Sequence, residues 1–211
     1  MIRALLLDVD GVLVRGRPQD GRRWDTSLKA DLGLSAKDLA TEFFAPYWDA
    51  IVVGRKDLRP CLTKALTSIG GHLSADEVVD YWFRHDARLD TALLGDLAAL
   101  RDGGLPTYLA TNQDHLRAGY LMNTLGLKDH VDGIFYSAEL GCRKPQSKFF
   151  RIVAATLDLD PAELAFIDDQ LENVEAARSL GWNGVQWMEG TGLMTALTAA
   201  GWSTGPTNPR P

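Results

Sequence analysis

The chain has 211 residues, 45% of them hydrophobic and 24% charged, a balance typical of a globular protein with one or two domains. Its formal net charge of -6 argues against nucleic acid or an anionic membrane as the main partner. No apolar stretch approaches the ~20 residues of a membrane span, and two cysteines are too few for a disulfide framework. The first apolar run leaves no room for a signal peptide, so we expect a cytoplasmic protein, and nothing in the composition indicates its oligomeric state.

An apolar run near the start of the chain ends in two carboxylates. The residues from Ala4 to Leu7 are all apolar, which predicts a strand buried on both faces of a parallel sheet. Asp8 and Asp10 follow this strand, and Gly11 allows the backbone to turn sharply and approach a ligand. Ligands of such sheets bind outside the carboxyl ends of the strands, so the two carboxylates lie where a reaction would be expected.

A long helical segment follows the first strand. Ser35 and Ser74 each stand three residues before an acidic residue, a pattern that predicts the N-terminus of a helix. Aromatic residues concentrate here, and they suit either the core of a small helical bundle or a surface that contacts a substrate. Because an insertion directly after such a strand is a candidate lid, we predict a helical cap domain over residues 15–87.

Strands and helices alternate through the remainder of the chain. Strands are predicted at 106–111, 131–136, 164–167 and 185–187, and helices at 92–101, 115–125, 145–157, 171–180 and 194–200. This alternation is typical of right-handed βαβ units around one parallel sheet. We therefore predict an α/β fold, a Rossmann-like three-layer core built from residues 1–14 and 88–202, with a disordered tail over 203–211.

Polar residues also follow the second and third predicted strands. Thr111 and Asn112 close the second strand, where a hydroxyl and an amide can donate to an anionic oxygen or cap the next helix. Lys144 lies just before the helix that Pro145 is predicted to open. Its charge would add to the positive end of that helix, so an anion could be bound there.

The fourth predicted strand ends in two adjacent carboxylates, Asp168 and Asp169. Two such charges repel each other unless a cation compensates them. With Asp8 and the region of Asp10 they form an oxygen-rich set suited to Mg²⁺, which takes few carboxylates and several waters. Histidine is scarce, with 4 in the chain and none near these positions, so zinc is disfavoured.

The order of these polar residues resembles the motifs of the haloacid dehalogenase superfamily, in its phosphatase branch with a helical cap inserted after the first strand. The matching residues are Asp8-x-Asp10, Thr111, Lys144 and Asp168-Asp169-x-x-x-Asn173. The resemblance extends from Leu5 to about Trp187, with Val12 where threonine is common. Together with the turn Gly54-Arg55-Lys56, the spacing is most similar to the subgroup that contains the phosphatase domain of soluble epoxide hydrolase.

This resemblance implies a Mg²⁺-dependent phosphatase that hydrolyses small phosphorylated metabolites through an aspartyl-phosphate. Asp8 would be the nucleophile. Asp10 would act as general acid and then as general base, while its backbone carbonyl contacts Mg²⁺. Thr111, the backbone amide of Asn112 and Lys144 would hold the phosphoryl oxygens.

The resemblance also implies the remaining metal ligands. Beside Asp8 and Asp10, Asp169 is the preferred direct ligand. Asp168 would act through water or by orienting Lys144, although the sequence leaves open which of the adjacent carboxylates binds the metal directly. Asn173 would support the loop that carries them.

Other functions use the same scaffold. A phosphomutase would keep every one of these residues and differ only in what the cap excludes. A 2-haloacid dehalogenase, as that family is known, needs no Mg²⁺ and lacks the second aspartate, so Asp10 and the pair Asp168-Asp169 disfavour it. A non-catalytic regulatory or binding protein is the alternative from another class, and the presence of every expected catalytic residue disfavours that function too.

Overall fold

The computed structural model describes residues 1–69 and 72–202. At its centre is a five-stranded parallel sheet of order β3-β2-β1-β4-β5. The strands are β1 (Ala4–Leu7), β2 (Thr107–Thr111), β3 (Gly133–Tyr136), β4 (Leu164–Asp168) and β5 (Asn183–Gln186). Leu6 in β1 is aligned with Tyr108 on one side and Phe166 on the other. Every residue of β1 and β4 is buried, as the unbroken apolar runs predict.

The first five α-helices follow β1 in the sequence and form the predicted helical insertion. They are α1 (Leu28–Leu32), α2 (Ala36–Leu39), α3 (Ala45–Ile51), α4 (Leu58–Ile69) and α5 (Ala75–His85). A wider helical turn, Ala40–Phe44, joins α2 to α3. The predicted cap of α5 is confirmed, because the Ser74 hydroxyl accepts from the Glu77 amide and the Glu77 carboxylate accepts from the Ser74 amide.

The remaining helices cover both faces of the sheet. They are α6 (Thr91–Asp102), α7 (His115–Gly119), α8 (Ser137–Leu140), α9 (Ser147–Leu157), α10 (Leu171–Ser179) and α11 (Leu193–Ala199). Leu5 belongs to a core cluster with Leu97 of α6, whereas Leu6 belongs to a cluster with Phe150 of α9 on the opposite face. Alternate side chains of β1 thus pack into apolar layers on opposite faces of the sheet. The predicted α/β architecture with three layers is confirmed.

The helical insertion has an apolar cluster of its own. Its buried members run from Leu28 in α1 to Phe83 in α5, and two residues of the core, Leu116 and Tyr120, pack against them. The two chain segments that join insertion and core run side by side, since Val14 and Leu89 form an antiparallel bridge. An insertion with separate packing and paired connections is compatible with a cap domain.

Several boundaries differ from those that the sequence predicts. The helix expected to open at Pro145 begins at Ser147, because Arg143 to Gln146 form a turn in which the Gln146 amide donates to the Arg143 carbonyl at 2.9 Å. The helix predicted to reach Leu125 ends as α7 at Gly119, and a wider turn continues it. The predicted tail over 203–211 lies outside the described residues. Within the described ranges, no helix combines the length and apolar character needed to cross a bilayer.

Candidate active site

The three central strands bring their polar ends to one edge of the sheet. Asp8 follows β1 directly, and its amide donates to the carbonyl of Ile167 in β4 at 2.8 Å. Thr111 ends β2 and Asp168 ends β4, on either side of β1. Because neighbouring parallel strands end at the same edge, Asp8 has neighbours there that lie 103 and 160 positions away in the sequence.

Lys144 lies between two of these carboxylates. Its Nζ is 3.0 Å from Asp8 Oδ1 and 2.5 Å from Asp168 Oδ2, and the residue is only 2% exposed. Asn112 holds the Lys144 backbone from both sides, since its Oδ1 accepts from the Lys144 amide at 2.9 Å and its Nδ2 donates to the Lys144 carbonyl at 3.0 Å. The side chain of Asn112 thereby fixes the loop from which the ammonium group reaches the site.

The two carboxylates after β4 have different surroundings. Asp168 is fully buried and accepts from the Gln170 amide at 2.8 Å and from Asn173 Nδ2 at 3.0 Å. Asp169 is partly exposed and accepts from Gln170 Nε2 at 2.6 Å. Gly11 lies against it with φ +83°, and a Cβ at this glycine would be 2.6 Å from Asp169 Oδ2. The turn after β1 therefore needs glycine both for its backbone conformation and for its approach to Asp169.

Burial and crowding shift the pKa values of the ionisable groups. Burial raises the pKa of Asp8 to about 7, with Lys144 opposing the rise and Asp168 adding to it. Burial would lower the pKa of Lys144, but Asp8 and Asp168 outweigh it and the pKa is raised. Burial also raises the pKa of Asp169. One ammonium group faces three carboxylates, so the cluster favours a further cation.

The donor set fits Mg²⁺. Oxygen atoms of Asp8, Asp168 and Asp169 all lie within 4.8 Å of one another, and this group contains no histidine or cysteine. Hard carboxylate oxygens at a partly open edge, with room for waters on the exposed side of Asp169, are the ligands that Mg²⁺ prefers in proteins. The chemistry of these described donors therefore suits Mg²⁺ better than Zn²⁺.

The carboxylate of Asp10 lies outside this group of three carboxylates. Its side chain is 51% exposed, and its Oδ2 accepts from Gln113 Nε2 at 2.7 Å. The same Gln113 nitrogen lies 3.2 Å from Thr111 Oγ1. On the other side, Asp10 Oδ1 lies 3.8 Å from a guanidinium nitrogen of Arg117. Asp10 is thus a half-exposed carboxylate at the rim of the site, with one oxygen hydrogen-bonded to Gln113 and the other in an ion pair with Arg117.

The site residues singled out from the sequence do come together, with Asp8, Lys144, Asp168 and Asp169 at the centre. Thr111, Asn112, Asn173 and Asp10 surround them, as their contacts above show. The sequence reasoning missed Gln113, Gln170 and Arg117. Gln113 and Gln170 directly follow residues that were singled out, which is a signal that could have found them. No signal in the sequence marks Arg117 as a site residue, because a single arginine in a helix is usually on the surface.

Comparison with known proteins agrees with this geometry. The family model described as haloacid dehalogenase-like hydrolase matches residues 2–181. The chain is 31% identical over 189 residues to the sesquiterpene phosphatase astK of Aspergillus oryzae, covering 87% of this chain and 88% of that protein. It is 29% identical over 207 residues to the drimenol cyclase drtB of Aspergillus calidoustus, covering 94% of this chain but 36% of that protein.

Among solved structures, the chain resembles a haloacid dehalogenase family enzyme from Bacteroides thetaiotaomicron, crystallised with magnesium and inorganic phosphate. The TM-score is 0.76 at 21% sequence identity, and the match covers 92% of this chain and 98% of that one. This likeness shows a shared fold. The family model matches most of the chain, a relative of nearly equal length is 31% identical, and the site residues stand in the expected order on their strands. The chain therefore belongs to the haloacid dehalogenase-like hydrolases.

Proposed function

We propose that the protein is a Mg²⁺-dependent phosphatase that acts through an aspartyl-phosphate on Asp8. The observation that carries this proposal is the buried ammonium of Lys144 between Asp8 and Asp168, beside Asp169 and at the ends of adjacent strands. Such a site can accept a phosphoryl group only if its charge is balanced, which a lysine and a divalent cation together achieve. The similarity to a sesquiterpene phosphatase supports this reaction over the other hydrolyses known on the fold.

The first step transfers the phosphoryl group to the enzyme. A carboxylate oxygen of Asp8 attacks phosphorus, the bond from phosphorus to the ester oxygen breaks, and Asp10 gives its proton to the departing oxygen. Thr111 Oγ1 and the backbone amide of Asn112 would hold phosphoryl oxygens beside Lys144 Nζ. Mg²⁺, held by Asp8, Asp168 or Asp169, and the Asp10 carbonyl, would supply positive charge to those oxygens.

The second step regenerates the enzyme. Asp10, now ionised, takes a proton from water while the water oxygen attacks phosphorus. The bond between phosphorus and the Asp8 oxygen breaks, which releases inorganic phosphate and restores both carboxyl groups to their starting forms. The half-exposed position of Asp10 at the rim suits both roles, because it can reach a leaving group and then a water.

Two alternatives on the same scaffold predict different chemistry. A 2-haloacid dehalogenase would attack carbon and would have no use for Asp10 or the carboxylates after β4, all of which are in place here. A phosphomutase would return the phosphoryl group to a second substrate instead of water. We propose that residues 15–87 form a cap domain over a core of residues 1–14 and 88–202. Cap residues would then decide whether water or a second substrate accepts the phosphoryl group.

An aromatic pocket in the helical insertion supports a substrate with an apolar organic group. The pocket measures about 370 Å³, and its lining includes Trp24, Phe44, Trp48 and Trp82. The other three rings pack around Trp82, with centroid distances of 5.3 to 5.7 Å. Trp82 stands one helical turn before Asp86, whose carboxylate approaches the same guanidinium as Asp10. We infer a phosphate monoester whose apolar part extends from the phosphoryl site into this pocket.

Hydrolysis of p-nitrophenyl phosphate by purified protein tests the reaction. We expect phosphate release with Mg²⁺, its loss in EDTA, and no turnover by Asp8→Asn although circular dichroism shows that variant folded. Activity that survives EDTA would show that the reaction does not need Mg²⁺. Turnover by Asp8→Asn would indicate another nucleophile. Comparing a sesquiterpene alcohol phosphate with phosphoglycolate tests the pocket, because Trp48→Ala should lower kcat/KM more for the apolar ester.

A further inference from the structure

Arg117 is a deeply buried cation beside Asp10 and belongs to none of the motifs. The residue is 1% exposed, and its guanidinium packs beside the neighbouring rings of Phe83 and Tyr120, with centroid distances of 5.2 and 5.5 Å. One guanidinium nitrogen is 3.8 Å from Asp10 Oδ1 and 3.6 Å from Asp86 Oδ2. A permanent charge in such a place is costly unless it is paired and hydrogen-bonded, so its contacts explain why it is tolerated.

The same guanidinium is bound to the end of the helical insertion. Its Nη1 donates to the Phe83 carbonyl at 3.3 Å, and its Nη2 donates to the Asp86 carbonyl. Phe83 lies in the last turn of α5, and Asp86 follows that helix directly. A cation on the last carbonyls of a helix is stabilised by the helix dipole. Arg117, on core helix α7, therefore joins the final turn of the insertion to the carboxylate at the rim of the site.

Asp10 has few other constraints on its orientation. Its side chain is 51% exposed, and besides the ion pair with Arg117 it accepts one side-chain hydrogen bond among the described residues, from Gln113 Nε2. A neutral amide fixes one oxygen but leaves the carboxyl group able to rotate about that contact. The guanidinium is planar, and its hydrogen bonds to the Phe83 and Asp86 carbonyls fix its orientation, so it stays in place as a charge that the carboxylate faces.

We propose that Arg117 is a positioning residue that holds the Asp10 carboxyl in the orientation for proton transfer and couples that orientation to the end of the cap. The inference rests on the proposed phosphatase function. Arg117 reaches the reaction only through Asp10, so its loss should matter most when the leaving group needs a proton. An alkoxide needs one as the ester bond breaks, whereas p-nitrophenolate departs with little help.

The test compares Arg117→Met with Arg101→Met, toward p-nitrophenyl phosphate and a primary alkyl phosphate. Arg101 is a matched control, because it also pairs with a carboxylate and donates to a backbone carbonyl, but far from the site. Arg117→Met should lower kcat/KM for the alkyl ester by roughly tenfold to a hundredfold, the scale of a small misplacement of a catalytic group. The loss with p-nitrophenyl phosphate should be several times smaller.

A double-mutant cycle shows whether the effect passes through Asp10. In an Asp10→Asn background, Arg117→Met should cause no further loss with the alkyl ester. Equal losses with both esters, or a full loss in the Asp10→Asn background, would overturn the inference. If Arg117→Met does not fold, Arg117→Lys replaces it in the same comparison. Lysine keeps the positive charge but lacks the planar guanidinium with its fixed N–H donors.

Hydrogen exchange separates this inference from the proposed function. Wild-type protein that hydrolyses neither ester would refute the phosphatase proposal. The link to the cap would still be measurable in the amides of residues 84–90, which should exchange faster in Arg117→Met than in Arg101→Met. Unchanged exchange in that segment would refute the link itself.

Discussion

Replacing Lys144 by methionine should expose how strongly the buried carboxylates depend on its charge. Methionine keeps most of the side-chain length but leaves Asp8, 8% exposed, and Asp168, 0% exposed, without the ammonium that lies 3.0 and 2.5 Å away. Removing one partner of a buried ion pair typically costs ~3–5 kcal/mol. For a chain of this size that loss corresponds to a fall in Tm of roughly 6–20 °C.

The measurement is urea unfolding in EDTA at about pH 8 and about pH 5, chosen to lie on either side of the Asp8 pKa. In the folded protein that pKa is about 7, against an ordinary value of 3.8. A raised carboxyl pKa means that folding favours the protonated form, so stability falls as the pH rises from about 4 to about 7. Without Lys144, the ionised carboxylate of Asp8 destabilises the folded protein further. The loss of stability in Lys144→Met should therefore be larger at pH 8 than at pH 5.

Lys148→Met is the control, because Lys148 is an exposed lysine four residues away. This variant should lose little stability. Adding Asp168→Asn to Lys144→Met should recover part of the stability, since one uncompensated charge is gone. Mg²⁺ should also recover part of it by binding the folded state. A loss below ~1 kcal/mol, equal to that of the control, would show that the carboxylates do not need the ammonium and would refute the electrostatic reasoning.

Two further substitutions probe the edges of the site. Gly11→Ala should weaken Mg²⁺ binding by roughly 10–100-fold in calorimetric titration of EDTA-treated protein, because the new methyl would displace Asp169 Oδ2; unchanged affinity would exclude Asp169 as a ligand. Burial raises the pKa of Asp86 to about 6, so its ionised form opposes folding at neutral pH. Asp86→Asn should therefore stabilise the protein by up to ~3 kcal/mol at pH 7 and have no such effect below about pH 4; an equal gain at both pH values would exclude ionisation as the cause.

The core of the fold could be predicted because its signals are local and strong. Unbroken apolar runs at Ala4–Leu7 and 164–167 predicted strands covered on both faces, and the helices between strands then required a parallel sheet. The central site followed from the same topology, since it collects residues at strand ends. The helix start at Pro145 was misplaced because a proline before a helix fits several positions, and the turn from Arg143 to Gln146 decides between them.

The contacts between the insertion and the core could not be predicted. Ser137 donates to the Val52 carbonyl and Arg143 pairs with Asp49 at 2.8 Å, yet these residues are ordinary surface types in the sequence. Arg117 is the clearest case, because its burial depends on residues distant in the sequence, among them Phe83 and Asp86. Long-range packing of polar side chains depends on the assembled fold, whereas motif residues follow from strand ends alone.

The proposed mechanism depends on the formation of an aspartyl-phosphate on Asp8, and Asp10→Asn should make this intermediate accumulate. This variant lacks the base for the second step but keeps the nucleophile, so p-nitrophenyl phosphate should give a burst of p-nitrophenol followed by slow turnover. The burst should approach about one equivalent per active site, and mass spectrometry of quenched protein should find the added phosphoryl group on Asp8. Linear release without a burst, or a burst that persists when Asp8→Asn is added, would contradict the mechanism.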